Sequence, residues 1–180
     1  MSSSRVPDQR TSVWGVLARA DEERLTTLIS RIARKYGVAA FRPHITLVSG
    51  VTRDAMEARS IMTTMASATP QFALRFTSVT HSSSPFRAVV LECEPDCEAL
   101  NHLREALIAA LKVRSTTPFH PHLSVAYGSL GEMYRKDVAF EVEEQLNRPV
   151  TIVSLALVDT GGEDANTWTA VPCEFTLQRP

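Results

Sequence analysis

Hydrophobic and polar positions along this chain follow two alternating periods. Ser12-Val13-Trp14-Gly15-Val16-Leu17 reads as a strand, after which Leu25, Leu28, Ile29, Ile32 and Tyr36 recur at helical spacing, with Asp21 placed to cap the helix and Gly37 to end it. A second strand is predicted over Pro43 to Val48. The next helix, capped near Thr52, carries Ala58, Ile61, Met62, Met65 and Ala66 on one face. Phe72, Leu74 and Phe76 alternate in a half-buried strand over Gln71 to Val79, Arg87 to Cys93 forms another, and Thr80 to Pro85 between them is a short polar loop. The pattern then repeats. Asp96 caps a helix with Leu100, Leu103, Leu107 and Leu111 inward, Pro121 to Tyr127 is a strand, and Glu132 to Gln145 is a weaker helix with Val138, Val142 and Leu146 in phase. Strands over Val150 to Val158 and Trp168 to Leu177 flank the turn-rich Asp159-Thr160-Gly161-Gly162. The order is βαβαβ followed by βαβαβ(β).

The two halves also share a motif. Phe41-Arg42-Pro43-His44-Ile45-Thr46 and Phe119-His120-Pro121-His122-Leu123-Ser124 both read F-x-P-H-apolar-[ST], 78 residues apart. A second copy arises by chance with a probability on the order of one in a thousand, so an internal duplication is the better account. Side chains two apart on a strand share a face, so His44 with Thr46 and His122 with Ser124 each form an imidazole–hydroxyl pair. If the halves pack about a pseudo-twofold axis, the pairs meet across one cleft. A cyclic phosphodiester needs a base toward water, an acid toward the leaving oxygen, and donors for the remaining oxygens. Two histidines and two hydroxyls supply all three without a metal.

Composition narrows the partners. In 180 residues, 19 Lys plus Arg against 20 Asp plus Glu give a formal charge of −1, which excludes a bulk positive field for long nucleic acid. With 44% apolar and 22% charged residues the chain can bury a sizeable core, and one domain spanning 1–180 is expected, its motif halves at 12–80 and 86–177 and its polar lead-in 1–11 flexible. Three cysteines, Cys93, Cys97 and Cys173, lack CxxC spacing and are read as reduced thiols. The N-terminus lacks an apolar core of signal-peptide length and no stretch approaches the roughly 18 apolar residues of a membrane span, so a cytoplasmic protein without membrane contact is expected.

These residues resemble the 2H (two-histidine) phosphoesterase superfamily, and more closely its cyclic phosphodiesterase branch. The similarity to plant-type members runs through Ser12-Val13-Trp14, Pro43-His44-Ile45-Thr46, Ser115 to Ser124 with Tyr127 following, and Leu155-Ala156-Leu157 through Trp168. The resemblance implies a bilobal α+β fold with an antiparallel sheet in each lobe, flanking helices and a central water-filled cleft. It implies ADP-ribose 1″,2″-cyclic phosphate, a by-product of tRNA splicing, and nucleoside 2′,3′-cyclic phosphates as substrates. It also implies His44 and His122 as the catalytic pair, Thr46 and Ser124 as phosphate-holding hydroxyls, Tyr127 lining the cleft, and Trp14 with Phe86 presented to the base. Plant members carry further cysteines that can be bridged; the three here have no pair-for-pair match, and no pairing is carried over.

Other readings stay open at this point. Thr46 and Ser124 also suit strand formers bonding the backbone, and Trp14 suits core packing as well as base stacking. His120 and His122 form an H-x-H pair, but no third ligand stands at suitable spacing, so no metal or other cofactor is expected and His120 reads as cleft rim. Arg42 either assists an anionic substrate or is solvated at a strand end. His81 and His102 read as surface. The expected partner of the chain, itself a monomer, is a small nucleotide-like cyclic phosphate. The alternatives are RNA ends or 2′-5′ linkages, and a nucleotide-binding module without turnover.

Overall fold

Eighteen residues, Arg19–Tyr36, form the first helix (α1) because Leu25, Leu28, Ile29, Ile32 and Ala33 fall on one face and are buried there. Gly37 ends it in the left-handed conformation at φ 70°, its N–H returning to the Ala33 carbonyl. Asp21, expected as the cap, instead sits inside the first turn. One of its carboxylate oxygens pairs with Arg24 at 3.0 Å and the other accepts the Thr151 N–H at 3.0 Å, which ties the helix to a distant strand. The second helix (α2, Ala55–Ala68) is capped by Asp54, which accepts from the Met56 and Glu57 N–H groups, rather than by Thr52. The third (α3, Glu98–Leu111) starts after Cys97 with no side-chain cap, since Asp96 lies one residue too early.

In the computed structural model, which describes residues 11–114, 118–161 and 168–179, eight strands make one sheet. They are β1 (Thr11–Leu17), β2 (Ile45–Val51), β3 (Phe72–Leu74), β4 (Phe76–His81), β5 (Val89–Cys93), β6 (His122–Ala126), β7 (Val150–Asp159) and β8 (Thr169–Thr176). A fourth helix, α4 (Glu132–Val142), precedes β7 and tightens into a 3₁₀ turn over Glu143–Asn147. The lead-in expected to be flexible lies outside the described residues except for Thr11, which begins β1; the side chain of Cys173 also lies outside them. Cys93 and Cys97 are free thiols, Cys93 buried. Among the described residues no helix is long and apolar enough to cross a membrane.

Strand order is β3-β7-β1-β2-β6-β5-β4, with β8 added on β7, and every ladder is antiparallel. The stretch Gln71 to Val79, predicted as one strand, breaks at Arg75. Its two parts run to opposite ends of the sheet, which therefore curls until it nearly closes. The break is held by Glu94, whose N–H donates to the Arg75 carbonyl at 2.9 Å. Alternation reports which face a side chain takes, not which strand is its neighbour, so this change of partner leaves no trace in the pattern.

The order is symmetric about the β2–β6 seam: β1 answers β5 and β7 answers β4. Each half has exchanged its last strand, β4 lying beside β5 and β7 beside β1. The seam itself is thin, a single pairing of Ile45 with Leu123. Both side chains are fully buried under the helices, in a core with Val13, Leu17, Leu25, Leu91 and Leu107. The opposite face of β1 and β7 carries a second, small apolar cluster of Trp14, Val16, Ala156 and Val158 against Trp168.

Because Ile45 and Leu123 pack at the joint between β2 and β6, Ile45→Ala and Leu123→Ala are each expected to cost about 2–5 kcal/mol in urea unfolding. The double variant should depart from additivity by about 0.5–3 kcal/mol. Strict additivity would show that the two side chains do not share the seam.

Candidate active site

The local geometry of each histidine follows from its motif. Pro43 and Pro121 fix φ near −65° and bring the carbonyl two residues upstream against the imidazole. His44 Nδ1 bonds the Arg42 carbonyl at 2.7 Å, and His122 Nδ1 bonds the His120 carbonyl at 2.8 Å. A carbonyl only accepts, so both rings carry hydrogen on Nδ1 and leave Nε2 unbonded and basic when neutral.

Register then decides which side chains meet. One step to either side of the Ile45–Leu123 pair sets His44 beside Ser124 and Thr46 beside His122. The motifs are thus crossed: each histidine faces the hydroxyl of the other copy, and all four lie on the face opposite the helical core. β1 sets Trp14 opposite Thr46, and β5 sets Glu92 opposite His122. Glu92 accepts from Thr80 Oγ1 at 2.7 Å and pairs with Arg87 at 3.0 Å.

Surroundings separate the two rings. His44 is 5% exposed and stacks on Trp14 with centroids 3.4 Å apart and planes 7° from parallel. Burial pushes its pKa down to about 4, overriding the Arg42 carbonyl, while the charges of His122 and Arg42 act in the same direction as burial. His122 is half-buried; burial, then Arg87, lowers its pKa, while its carbonyl bond and Glu92 resist. The profile of the 2′-5′ RNA ligase superfamily matches residues 16–164, a span that contains both motifs.

The chain belongs to the 2′-5′ RNA ligase superfamily, the two-histidine phosphoesterases. It is 24% identical over 169 residues to the cyclic phosphodiesterase of Arabidopsis thaliana, covering 89% of this chain and 91% of that one. Among solved structures it matches TT0787 of Thermus thermophilus at TM-score 0.60 and 18% identity, covering 93% of this chain and 97% of that one. It also matches Escherichia coli LigT complexed with phosphate, at TM-score 0.59 and 16% identity, covering 96% and 99%. These likenesses show the two-histidine phosphoesterase fold.

Within this superfamily member, an aromatic wall borders the crossed motifs. Tyr127 is buried, its phenol pushed up to about 12, and it stacks on Phe41 with centroids 3.9 Å apart. Trp168 contacts Trp14, Phe86 and Tyr127 with centroids 5.6 to 6.0 Å apart. Phe86 is 44% exposed on a short 3₁₀ turn, Pro85–Arg87, whose Phe86 carbonyl accepts Ser124 Oγ at 3.3 Å. That turn covers the Ser124 side of the site. A cavity of about 330 Å³ opens on the Thr46 and His122 side, and another of about 500 Å³ is lined by Phe86 and Tyr127.

Some residues have roles that the sequence pattern does not reveal. Arg42 is bound between two carboxylates, Glu22 at 2.6 Å and Glu174 at 2.7 Å, with its side chain about one third exposed, so its charge is already matched within the protein. His81 and His102 are exposed, and His120 shares the cavity of His122. Phe41, Arg87, Glu92 and Trp168 join the site without any role predicted for them there. Phe41 stands inside the duplicated motif, whereas Glu92 is brought to the site by the β5 register and Arg87 by the turn that precedes β5. Among the described residues no group of three His, Cys, Asp or Glu side chains is set to hold a metal.

His44 also affects stability. Above pH 6.5 it is neutral folded and unfolded, and its contribution is fully present. Between 6.5 and about 4 the unfolded chain takes up a proton that the fold refuses, so stability falls as pH drops, by about 3 kcal/mol in all. Urea unfolding at pH 7.5, 5.5 and 4 is expected to show this loss and to show less of it in His44→Gln. An equal loss in the variant would place the effect elsewhere.

Proposed function

We propose that this protein is a metal-independent cyclic phosphodiesterase that opens ADP-ribose 1″,2″-cyclic phosphate or nucleoside 2′,3′-cyclic phosphates, the latter to 2′-phosphates. The observation that carries this reading is the crossed seam, which gathers two imidazoles and two hydroxyls on one face around a single pairing. The name of the Arabidopsis relative supports the same reaction class.

In this mechanism one Nε2 takes a proton from water as its oxygen bonds to phosphorus. The bond from phosphorus to one ring oxygen breaks, the 3′ oxygen in a nucleoside 2′,3′-cyclic phosphate, and the other Nε2, entering protonated, donates to the departing oxygen. Thr46 and Ser124 donate to the two remaining phosphoryl oxygens. Ser124 must exchange its Phe86 carbonyl for the phosphate, so the Pro85–Arg87 turn shifts as substrate binds. Trp14, with one face against His44, sets the angle of that ring, while Phe86 and Tyr127 offer their rings to the nucleotide. Acid and base together lower the barrier by roughly 5–11 kcal/mol.

Hydrolysis of ADP-ribose cyclic phosphate and of the four 2′,3′-cyclic nucleotides, followed with and without EDTA, should be insensitive to the chelator. His44→Ala and His122→Ala should each lower kcat by about 10²–10⁴, and Thr46→Ala or Ser124→Ala by about 10–10³. A histidine variant near the wild-type rate would remove that ring from the mechanism, and binding without turnover in the wild type would leave only a nucleotide-binding module.

The pH profile is a separate test. Whichever ring is the base, kcat/KM requires one imidazole neutral and the other charged in the free enzyme, and burial lowers both rings, so it should peak on the acid side of the ordinary imidazole value and fall as pH rises past the second limb. A bound phosphate anion favours imidazolium, which displaces the kcat profile to higher pH. A kcat/KM that stays flat from pH 5 to 8 would exclude the pair.

A further inference from the structure

We infer that the site continues into a second anion subsite, formed by Arg87, Arg104 and Arg114, that receives a phosphate or pyrophosphate carried by the substrate beyond the cyclic one. The inference takes its substrate class from the phosphodiesterase reading above, but its binding chemistry stands on the cavity itself. That cavity, about 330 Å³, is lined by Thr46 and His122 together with the three arginines and His120, and among the described residues no carboxylate lines it. In a chain of formal charge −1 this gathers three guanidinium groups, one of them paired with Glu92, around one cavity.

The guanidinium groups are held by different means. Arg87 is paired with Glu92 at 3.0 Å and stands next to His122, whose pKa its charge lowers. Arg104, on α3, lies over the Phe119 ring at 4.2 Å from its centroid, which restricts the long side chain. Arg114 follows the end of α3, where Lys112 turns the chain at φ 52°. Planar guanidinium forks suit phosphate oxygens, and an ordered fork loses less entropy on binding.

A nucleoside 2′,3′-cyclic phosphate would occupy the part at Thr46 and His122 alone. ADP-ribose cyclic phosphate adds a pyrophosphate, and an RNA end adds a 3′,5′-phosphodiester; both bring the second anion that the arginines select.

The test is calorimetric titration of the full chain, in a His44→Asn background that prevents turnover. The ligands are a 2′,3′-cyclic mononucleotide, ADP-ribose 1″,2″-cyclic phosphate and a dinucleotide ending in a 2′,3′-cyclic phosphate. At least one ligand carrying phosphate beyond the cyclic one should bind about 10- to 100-fold tighter than the mononucleotide, with the advantage shrinking as salt rises. The preferred ligand distinguishes pyrophosphate from phosphodiester. Arg104→Gln and Arg114→Gln should each remove most of the advantage and leave mononucleotide affinity within about twofold, with Arg→Lys restoring only part. Arg114 is exposed, so its substitution keeps the test open if Arg104→Gln fails to fold. Equal affinity for the mononucleotide and for both larger ligands, including no binding of any, or an advantage that survives both substitutions, overturns the subsite. The expected binding pattern in a wild-type enzyme that hydrolyses none of the ligands keeps the subsite and overturns the phosphodiesterase reading instead.

Discussion

The site depends on one narrow joint. β2 and β6 meet through Ile45 and Leu123 alone, and that pairing sets the register of everything on the opposite face. Strand side chains repeat every two residues, so a one-residue slip of either strand would turn its histidine into the helical core and bring its Ile45 or Leu123 outward. The apolar pair therefore does more than fill space. Its preference for the buried side fixes where the imidazoles and hydroxyls stand, and the small apolar cluster of Trp14, Val16, Ala156 and Val158 supports the face they share.

A joint this thin needs support from elsewhere, and the exchange of strands supplies it. Because β4 pairs with β5 and β7 with β1, each half is hydrogen-bonded into the territory of the other at a distance from the seam. Pulling the two halves of the sequence apart would require unzipping long ladders as well as one short one. The ligand-handling part is built differently. The turn Pro85–Arg87 is short, carries the exposed Phe86, and meets Ser124 through one hydroxyl contact. The long ladders thus position the two imidazoles, and a short turn with an exposed ring lies over Ser124.

How much of this could be read from residues alone depends on what each signal reports. The duplicated F-x-P-H-apolar-[ST] stretch was legible because its residue types and spacing carry chemistry directly, and the family match spans it. Helix faces were legible for the same reason, Leu100, Leu103, Leu107 and Leu111 being apolar at helical spacing and buried. What escaped was pairing. Nothing between Gln71 and Val79 announces that Arg75 divides a strand between two ends of a sheet. Nothing in Arg87 or Glu92 shows that they flank His122, because Glu92 is placed by how β5 is aligned on β6 and Arg87 by the turn before it and its pairing with Glu92. Asp21 looked like a cap because its type fits one, yet the nearby Arg24 and Thr151 N–H compete for the same oxygens.

The histidines are equivalent in one respect and unlike in another. Both rings enter the site as the same tautomer, held by the carbonyl two residues upstream, so the duplicated motif makes them chemically interchangeable. Only the neighbours tell them apart: an indole face and deep burial on one side, a carboxylate with its arginine partner on the other. Proton traffic in such an arrangement belongs to the scaffold rather than to the repeat. Drift at positions 14, 87 or 92 could swap donor for acceptor and leave every residue of the signature untouched.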